Sequence, residues 1–228
     1  YSCTVRNIVT AGSYPGTFAP VGPAPTATAT VQGTQPPPSQ GWTDLSLPAG
    51  AMAVYVSSST GNDANQGTQS SPLKSLSAGY SKLRDGQPDQ LLLRCGDSFS
   101  LPGTIELTKG CNISGKWMLI GSYGTGPRPK ITGPTTIFNG ESIGKRGVAF
   151  FGLELIGSNI SDSRAIRLLG WRDILIEGCS LHNWHRGLIF QGFTIQTSGL
   201  RVRRSTFYDI TSPACAPVGS TSCPQAIY

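Results

Sequence analysis

The chain has 228 residues, is 38% hydrophobic and only 13% charged, and carries 29 glycines, 17 prolines and a net charge of +6. This length suits one sizeable core. The low charge excludes a charge-swollen disordered chain, and no run of roughly 18 apolar residues is present to span a membrane. Glycine, proline, serine and threonine interrupt almost every window, so long helices are excluded and strands with turns are expected.

Residues 1–50 have Arg6 and Asp44 as their only charges. The start at Tyr1, without Met or an apolar leader, reads as a processed secreted chain or a trimmed recombinant product. Ser2–Val9 resembles a strand without a sheet, with Cys3, Val5, Ile8 and Val9 as its docking residues. Residues 13–40 hold seven of the seventeen prolines and no charge. By composition they are a linker or an O-glycosylated stalk, and such a segment orders only when packed on its own domain or a neighbour. We therefore expect an extended arm over 1–50 and a second unit over 51–228.

Val54–Val56 predicts a short strand, followed by a Gly/Asn/Asp turn. Ser71-Pro72 opens a predicted helix whose apolar stripe is Leu73, Leu76, Tyr80 and Leu83, and Asp85-Gly86 stops it. Leu91–Leu93 begins the next strand.

A repeat then sets the architecture. VAFFGLELIG (148–157), ILIEGCSLHN (174–183) and LRVRRSTFYD (200–209) start 26 residues apart, 148 to 174 to 200. Their third positions are Phe150, Ile176 and Val202, and their eighth are Leu155, Leu181 and Phe207. Their tenth are Gly157, Asn183 and Asp209, residues that tolerate the left-handed turn region. Second strands, AIRLLG (165–170) and GLIFQG (187–192), lie between them. Asn139-Gly140 is the one hairpin-like dipeptide. A unit this small cannot bury its own core, but stacked units bury one continuous column. The expected fold is all-β, a parallel β-helix of about five coils with one capping helix.

The cap segment VYVSSSTGNDANQGTQSSPLKSLSAGYSKLRDGQ, with the coils ILIEGCSLHNWHRGLIFQG and LRVRRSTFYDI, resembles right-handed parallel β-helix proteins of the pectate-lyase-like superfamily. The resemblance covers about residues 53–228. It implies a scaffold shared by polysaccharide lyases, glycosidases, phage tailspikes and non-catalytic surface proteins. Family lyases use a Lys or Arg base and often Ca²⁺ held by clustered carboxylates. Here Arg203 and Arg204 are the candidate bases, with His182 and His185 as candidate acid/base groups. Trp184, Arg186 and Arg201 are candidate glycan contacts. Asp162, Asp173, Glu177 and Asp209 are too scattered for a calcium cluster, so no metal or cofactor is expected. Glu177 and Asp209 are a possible cross-coil carboxylate pair, whereas Glu177 and Arg203 share one repeat position and suit a stacked ion pair.

Nine basic residues against four acidic ones over 145–204 suit an anionic polysaccharide before nucleic acid, or else a solvated basic face. Cys95 with Cys111, and Cys215 with Cys223, bracket short loops and are candidate disulfides of an extracellular, secreted protein, with Cys3 and Cys179 left over. Asn112 and Asn159 begin N-glycosylation sequons. Pro224–Tyr228 begins another strand of the AIRLLG type, so the helix is expected to be open at its C-terminal end. Two functions follow. The first is a structural subunit polymerising head-to-tail, its arm completing a neighbour's open end. The second is a polysaccharide-binding or lyase-like β-helix seen as a fragment. The balance favours the non-enzymatic assembly role, with copies of the chain as partners.

Overall fold

The computed structural model describes residues 41–141, 144–192 and 198–210, and the backbone of 225–227. A short strand β1 (Ala53–Val56) and one helix α1 (Leu76–Lys82) precede a solenoid in which each turn contributes three strands. The first turn is β2 (Gln90–Arg94), β3 (Ser98–Ser100) and β4 (Ile105–Glu106). The second is β5 (Met118–Tyr123), β6 (Lys130–Thr132) and β7 (Thr136–Glu141). The third is β8 (Arg146–Phe151), β9 (Glu154–Ile156) and β10 (Arg164–Leu169), and the fourth β11 (Arg172–Glu177), β12 (Ser180–His182) and β13 (Arg186–Gln191). A further rung carries β14 (Ser198–Arg203), β15 (Thr206–Tyr208) and β16 (Gln225–Ile227).

Every pairing is parallel, between equivalent strands of successive turns, and makes three sheets. The first sheet is β1-β2-β5-β8-β11-β14, the second β3-β6-β9-β12-β15, and the third β4-β7-β10-β13-β16. The 26-residue repeat is the observed register, since Val148, Ile174 and Leu200 stack, as do Leu155, Leu181 and Phe207. The strand expected after Pro224 is β16, with Gln225 opposite Arg186 and Ile227 opposite Leu188.

Alternation along each strand turns one set of side chains inward. The core is therefore a set of columns, among them Val54, Leu91, Ile120, Phe150, Ile176 and Val202 in the first sheet. Phe99, Ile131, Leu155, Leu181 and Phe207 form the matching column of the second. Each fully buried Leu or Ile contributes about 1.5–3 kcal/mol, and backbone groups are satisfied from the rungs above and below.

Corners repeat as strictly as strands. Gly147, Asp173 and Gly199 are left-handed (φ 69°, 53° and 77°), and so are Gly152, Gly178 and Arg204 (φ 65°, 67° and 48°). At the next corner Asn183 and Asp209 have φ 61° and 49°, as expected. Gly157, which shares their repeat position, is not left-handed. It is required there by close approach, because a Cβ would stand 2.1 Å from the Asn183 carbonyl oxygen and 2.6 Å from the Trp184 ring.

Several expectations are corrected. The helix is shorter than its apolar stripe. Ser75 caps it, accepting from the Ala78 amide, and Leu73 instead pairs with Val56 as a β-bridge. All four stripe residues still enter the core and close the column at the first rung. Asn139 and Gly140, the lone hairpin-like dipeptide, lie within β7, in keeping with the all-parallel pairing, and Gly140 leaves the space occupied by the Trp171 indole. Cys95 and Cys111 are free and buried, not bridged. Cys111 bridges to Gly86, ahead of β2, and Cys95 follows β2, so about 16 Å of strand separates them.

Part of the arm has a place. Residues 41–47 run across the outside of the first sheet from its last rung toward its first, as a strap. Trp42 and Leu45 cover outward-facing Leu92, Leu119, Ala149, Phe151 and Leu175. At one end Arg203 donates to the Gly41 carbonyl (2.6 Å) and to Thr43 Oγ1 (2.9 Å), and the Thr43 amide donates to Glu177 (3.1 Å). Toward the other end Gln90 donates to the Leu45 carbonyl (2.8 Å).

Candidate functional site

The outer faces of the three sheets differ in what they leave open. The first is covered by the strap. On the third, Asn139 links Glu106 and Arg167 through its amide, and Arg167 also pairs with Glu141. The second sheet presents two outward columns. One is Ser98, Lys130, Glu154, Ser180 and Thr206, and the other is Ser100, Thr132, Ile156, His182 and Tyr208.

Within these columns three residues converge. His182 Nε2 lies 3.0 Å from Glu154 Oε1, one rung back and one position across. The His182 ring stacks on Tyr208 of the next rung, with centroids 4.5 Å apart and planes at 11°. The side chains of His182 and Glu154 are 11% and 22% exposed, whereas Tyr208 is 45% exposed. Nε2 facing a carboxylate carries the ring proton in the neutral form, so Nδ1 takes the acceptor role. The carboxylate orients the imidazole, the imidazole supports the phenol ring from one side, and Tyr208 presents aromatic surface to solvent. Thr206 Oγ1 and Ser180 Oγ, 3.3 Å apart, add hydroxyls beside it.

His182 is itself buried, beneath the exposed Tyr208 ring and beside the half-buried Glu154. The other sequence candidates are dispersed over other faces. Trp184 is fully buried and its indole donates to the Leu155 carbonyl (3.1 Å), so it is a core residue and cannot stack on a sugar. His185 is also buried. Its Nδ1 accepts from the Asp162 amide (2.9 Å) and its own amide donates to Ser163 Oγ, which makes it a holder of the 158–163 corner in place of an acid or base. Arg186 lies on the third sheet and pairs with Asp162, which also pairs with Arg164. Arg201 lies on the first sheet, 6.0 Å over the Trp117 ring.

Arg203 and Arg204 are not free bases. Both address Glu177, which is fully buried under the strap, at 3.6 and 2.8 Å, and the cross-coil Glu177–Arg203 pairing read from the repeat is present. Arg204 also lies 4.7 Å over the Trp42 ring. Glu177 and Asp209 do not form a carboxylate pair, because one lies on the first sheet and the other follows the second. Lys145, Arg146, Arg164, Arg167, Arg186, Arg203 and Arg204 all face carboxylates, but they share five of them, Asp85, Glu141, Asp162, Asp173 and Glu177, so a positive excess remains.

Burial pushes the Cys179 thiol up to about 11, and it raises Cys95 and Cys111 as well, so these thiols are unreactive core groups. Among the described residues no group of three or more His, Cys, Asp or Glu side chains gathers in a way that could hold a metal. No helix among them is long and apolar enough to cross a membrane. Cys3, Val5, Ile8, Val9, Cys215 and Cys223 lie outside the described residues.

Glu154 and Tyr208 escaped the sequence reading. Their signal was available, because outward positions seven and nine of the repeat read Glu154/Ser180/Thr206 and Ile156/His182/Tyr208.

No protein-family model matches the chain. No curated protein matches it either. Similar solved structures include a GH136 lacto-N-biosidase from Eubacterium ramulus, at 16% identity over 68% of this chain and 41% of that one, with a TM-score of 0.46. Another is a rhamnogalacturonan lyase, at 15% identity over 71% of this chain and 42% of that one, with a TM-score of 0.47. The chain spans about two-fifths of the length of each.

Proposed function

We propose that this β-solenoid binds a polysaccharide along the outer face of its second sheet. The observation that carries the reading is the exposed Tyr208 ring, stacked on an imidazole that Glu154 fixes. An aromatic face packs against the apolar C–H face of a pyranose, and the flanking carboxylate, imidazole and hydroxyls match sugar hydroxyls. Rungs about 4.8 Å apart set out these groups at a regular spacing along the sheet, which suits a linear polymer.

Recognition of this kind works through stacking and hydrogen bonds more than charge, with Lys130, in the same column as Glu154, as the one cation on the face among the described residues. The head-to-tail reading depends on residues 1–12, which lie outside the described residues, and the described end of the arm packs on its own domain.

The test is binding to a panel of neutral and uronate polysaccharides by affinity electrophoresis and calorimetry. Tyr208→Ala should weaken binding at least tenfold, with His182→Ala following it, and raising salt from 50 to about 500 mM should change affinity little. Equal binding by Tyr208→Ala and the parent chain would refute the proposal.

A further inference from the structure

We infer that Asn112 is an N-glycosylation site and that Asn159, in the second sequon, is not. The inference concerns the chain when it passes through a eukaryotic secretory route and is independent of the polysaccharide reading.

The two sequons share the sequence Asn-Ile-Ser but differ in setting. Cys111 is fully buried, and its amide donates to the Gly147 carbonyl (3.2 Å), so the chain is anchored immediately before Asn112. From there residues 112–116 are all exposed, and the Lys116 amide closes a turn on the Ile113 carbonyl (3.1 Å). Both Asn112 and Ser114 are exposed, with Asn112 Nδ2 lying beside Gly86. Ile113, between them, is 47% exposed, and a sugar on Asn112 would cover it.

Asn159 is held differently. Both backbone amides are bonded, Asn112 to the Gly86 carbonyl (3.2 Å) and Asn159 to that of Asn183 (2.9 Å), but the Asn159 backbone is left-handed (φ 55°) and its Oδ1 is buried. Its side chain is turned into the corner between the second and third sheets. Asn112 instead sits at the corner where the third sheet leads into the first, on the edge opposite the Tyr208 face, so a glycan there leaves that face clear.

In the modification, Asn112 Nδ2 attacks C1 of an oligosaccharide carried on a lipid pyrophosphate. A C–N bond forms, the C–O bond to the pyrophosphate breaks, the nitrogen loses one proton and the lipid pyrophosphate departs.

The full chain, secreted from a eukaryotic host, should carry one enzymatically removable N-glycan by intact mass. Asn112→Gln and, independently of any effect of that change on folding, Ser114→Ala should each remove it, while Asn159→Gln should retain it. A chain without a glycan, or one whose glycan is lost in Asn159→Gln, overturns the inference. Polysaccharide binding should be equal with and without the Asn112 glycan, so failure of the binding proposal and failure of this one are read separately.

Discussion

Arg204 reaches the buried carboxylate of Glu177, at 2.8 Å, from a left-handed backbone position that the two preceding turns fill with Gly152 and Gly178. A non-glycine residue there costs about 1–2 kcal/mol. The guanidinium offsets that cost by neutralising Glu177 and lying over Trp42. Glu177→Ala would leave Arg203, Arg204 and the Thr43 amide without their shared acceptor. It should lower stability by about 3 kcal/mol in urea unfolding and speed hydrogen exchange at Thr43. Unchanged exchange at Thr43 would show that Glu177 does not hold the strap.

Trp42 packs edge-on against Phe151, with centroids 5.6 Å apart, and its ring edge approaches Gly178. Trp42→Ala should cost about 2 kcal/mol and uncover the outward leucines of the first sheet, read as increased binding of a hydrophobic dye. Binding at the second sheet should persist, because the strap touches neither His182 nor Tyr208.

Close packing at one corner gives a sharper contrast. Gly157→Ala drives a methyl into the Asn183 carbonyl and the Trp184 ring and should cost about 3 kcal/mol. Gly103→Ala meets open space at an ordinary φ and should leave the melting temperature within a degree or two of the parent. Similar losses for both would overturn this account.

Acid should act through two buried carboxylates at the capped end. Burial pushes Asp97 up, but hydrogen bonds from Ser57 and Ser59 outweigh it and hold Asp97 below its ordinary value of 3.8. Burial likewise raises Asp89, while bonds from the Arg84 side chain and from the Arg84 and Met52 amides outweigh it and hold Asp89 below its ordinary value as well. A depressed folded pKa means the stabilisation is complete above the unfolded value and is lost as pH falls through the folded one. Thermal stability should therefore drop below about pH 4, and Asp97→Asn should lower stability at neutral pH while flattening that drop.

The rungs were legible because inward positions repeat with period two along a strand and every 26 residues along the chain. Phe150, Ile176 and Val202 announce one column without any structural knowledge. The strap was not legible, since Trp42 and Leu45 are isolated apolar residues in a stretch with no periodicity, and their partners are outward residues far along the chain. Trp184 was misplaced for a related reason: its neighbours in sequence are polar, and its burial is decided by Gly157 on the preceding turn. His182 was visible as a residue type, but its partners come from two other turns. Only the outward columns join them.

The strap has a consequence for how long the solenoid can be. Its polar anchors lie on Gln90 in the first turn and on Glu177 and Arg203 in later rungs, and a fixed number of residues joins them. Duplicating one 26-residue coil between them would move the far anchors by about 4.8 Å without lengthening the strap. The segment thus acts as a ruler: coils added beyond β14 are tolerated by it, and coils added beneath it are measured and refused.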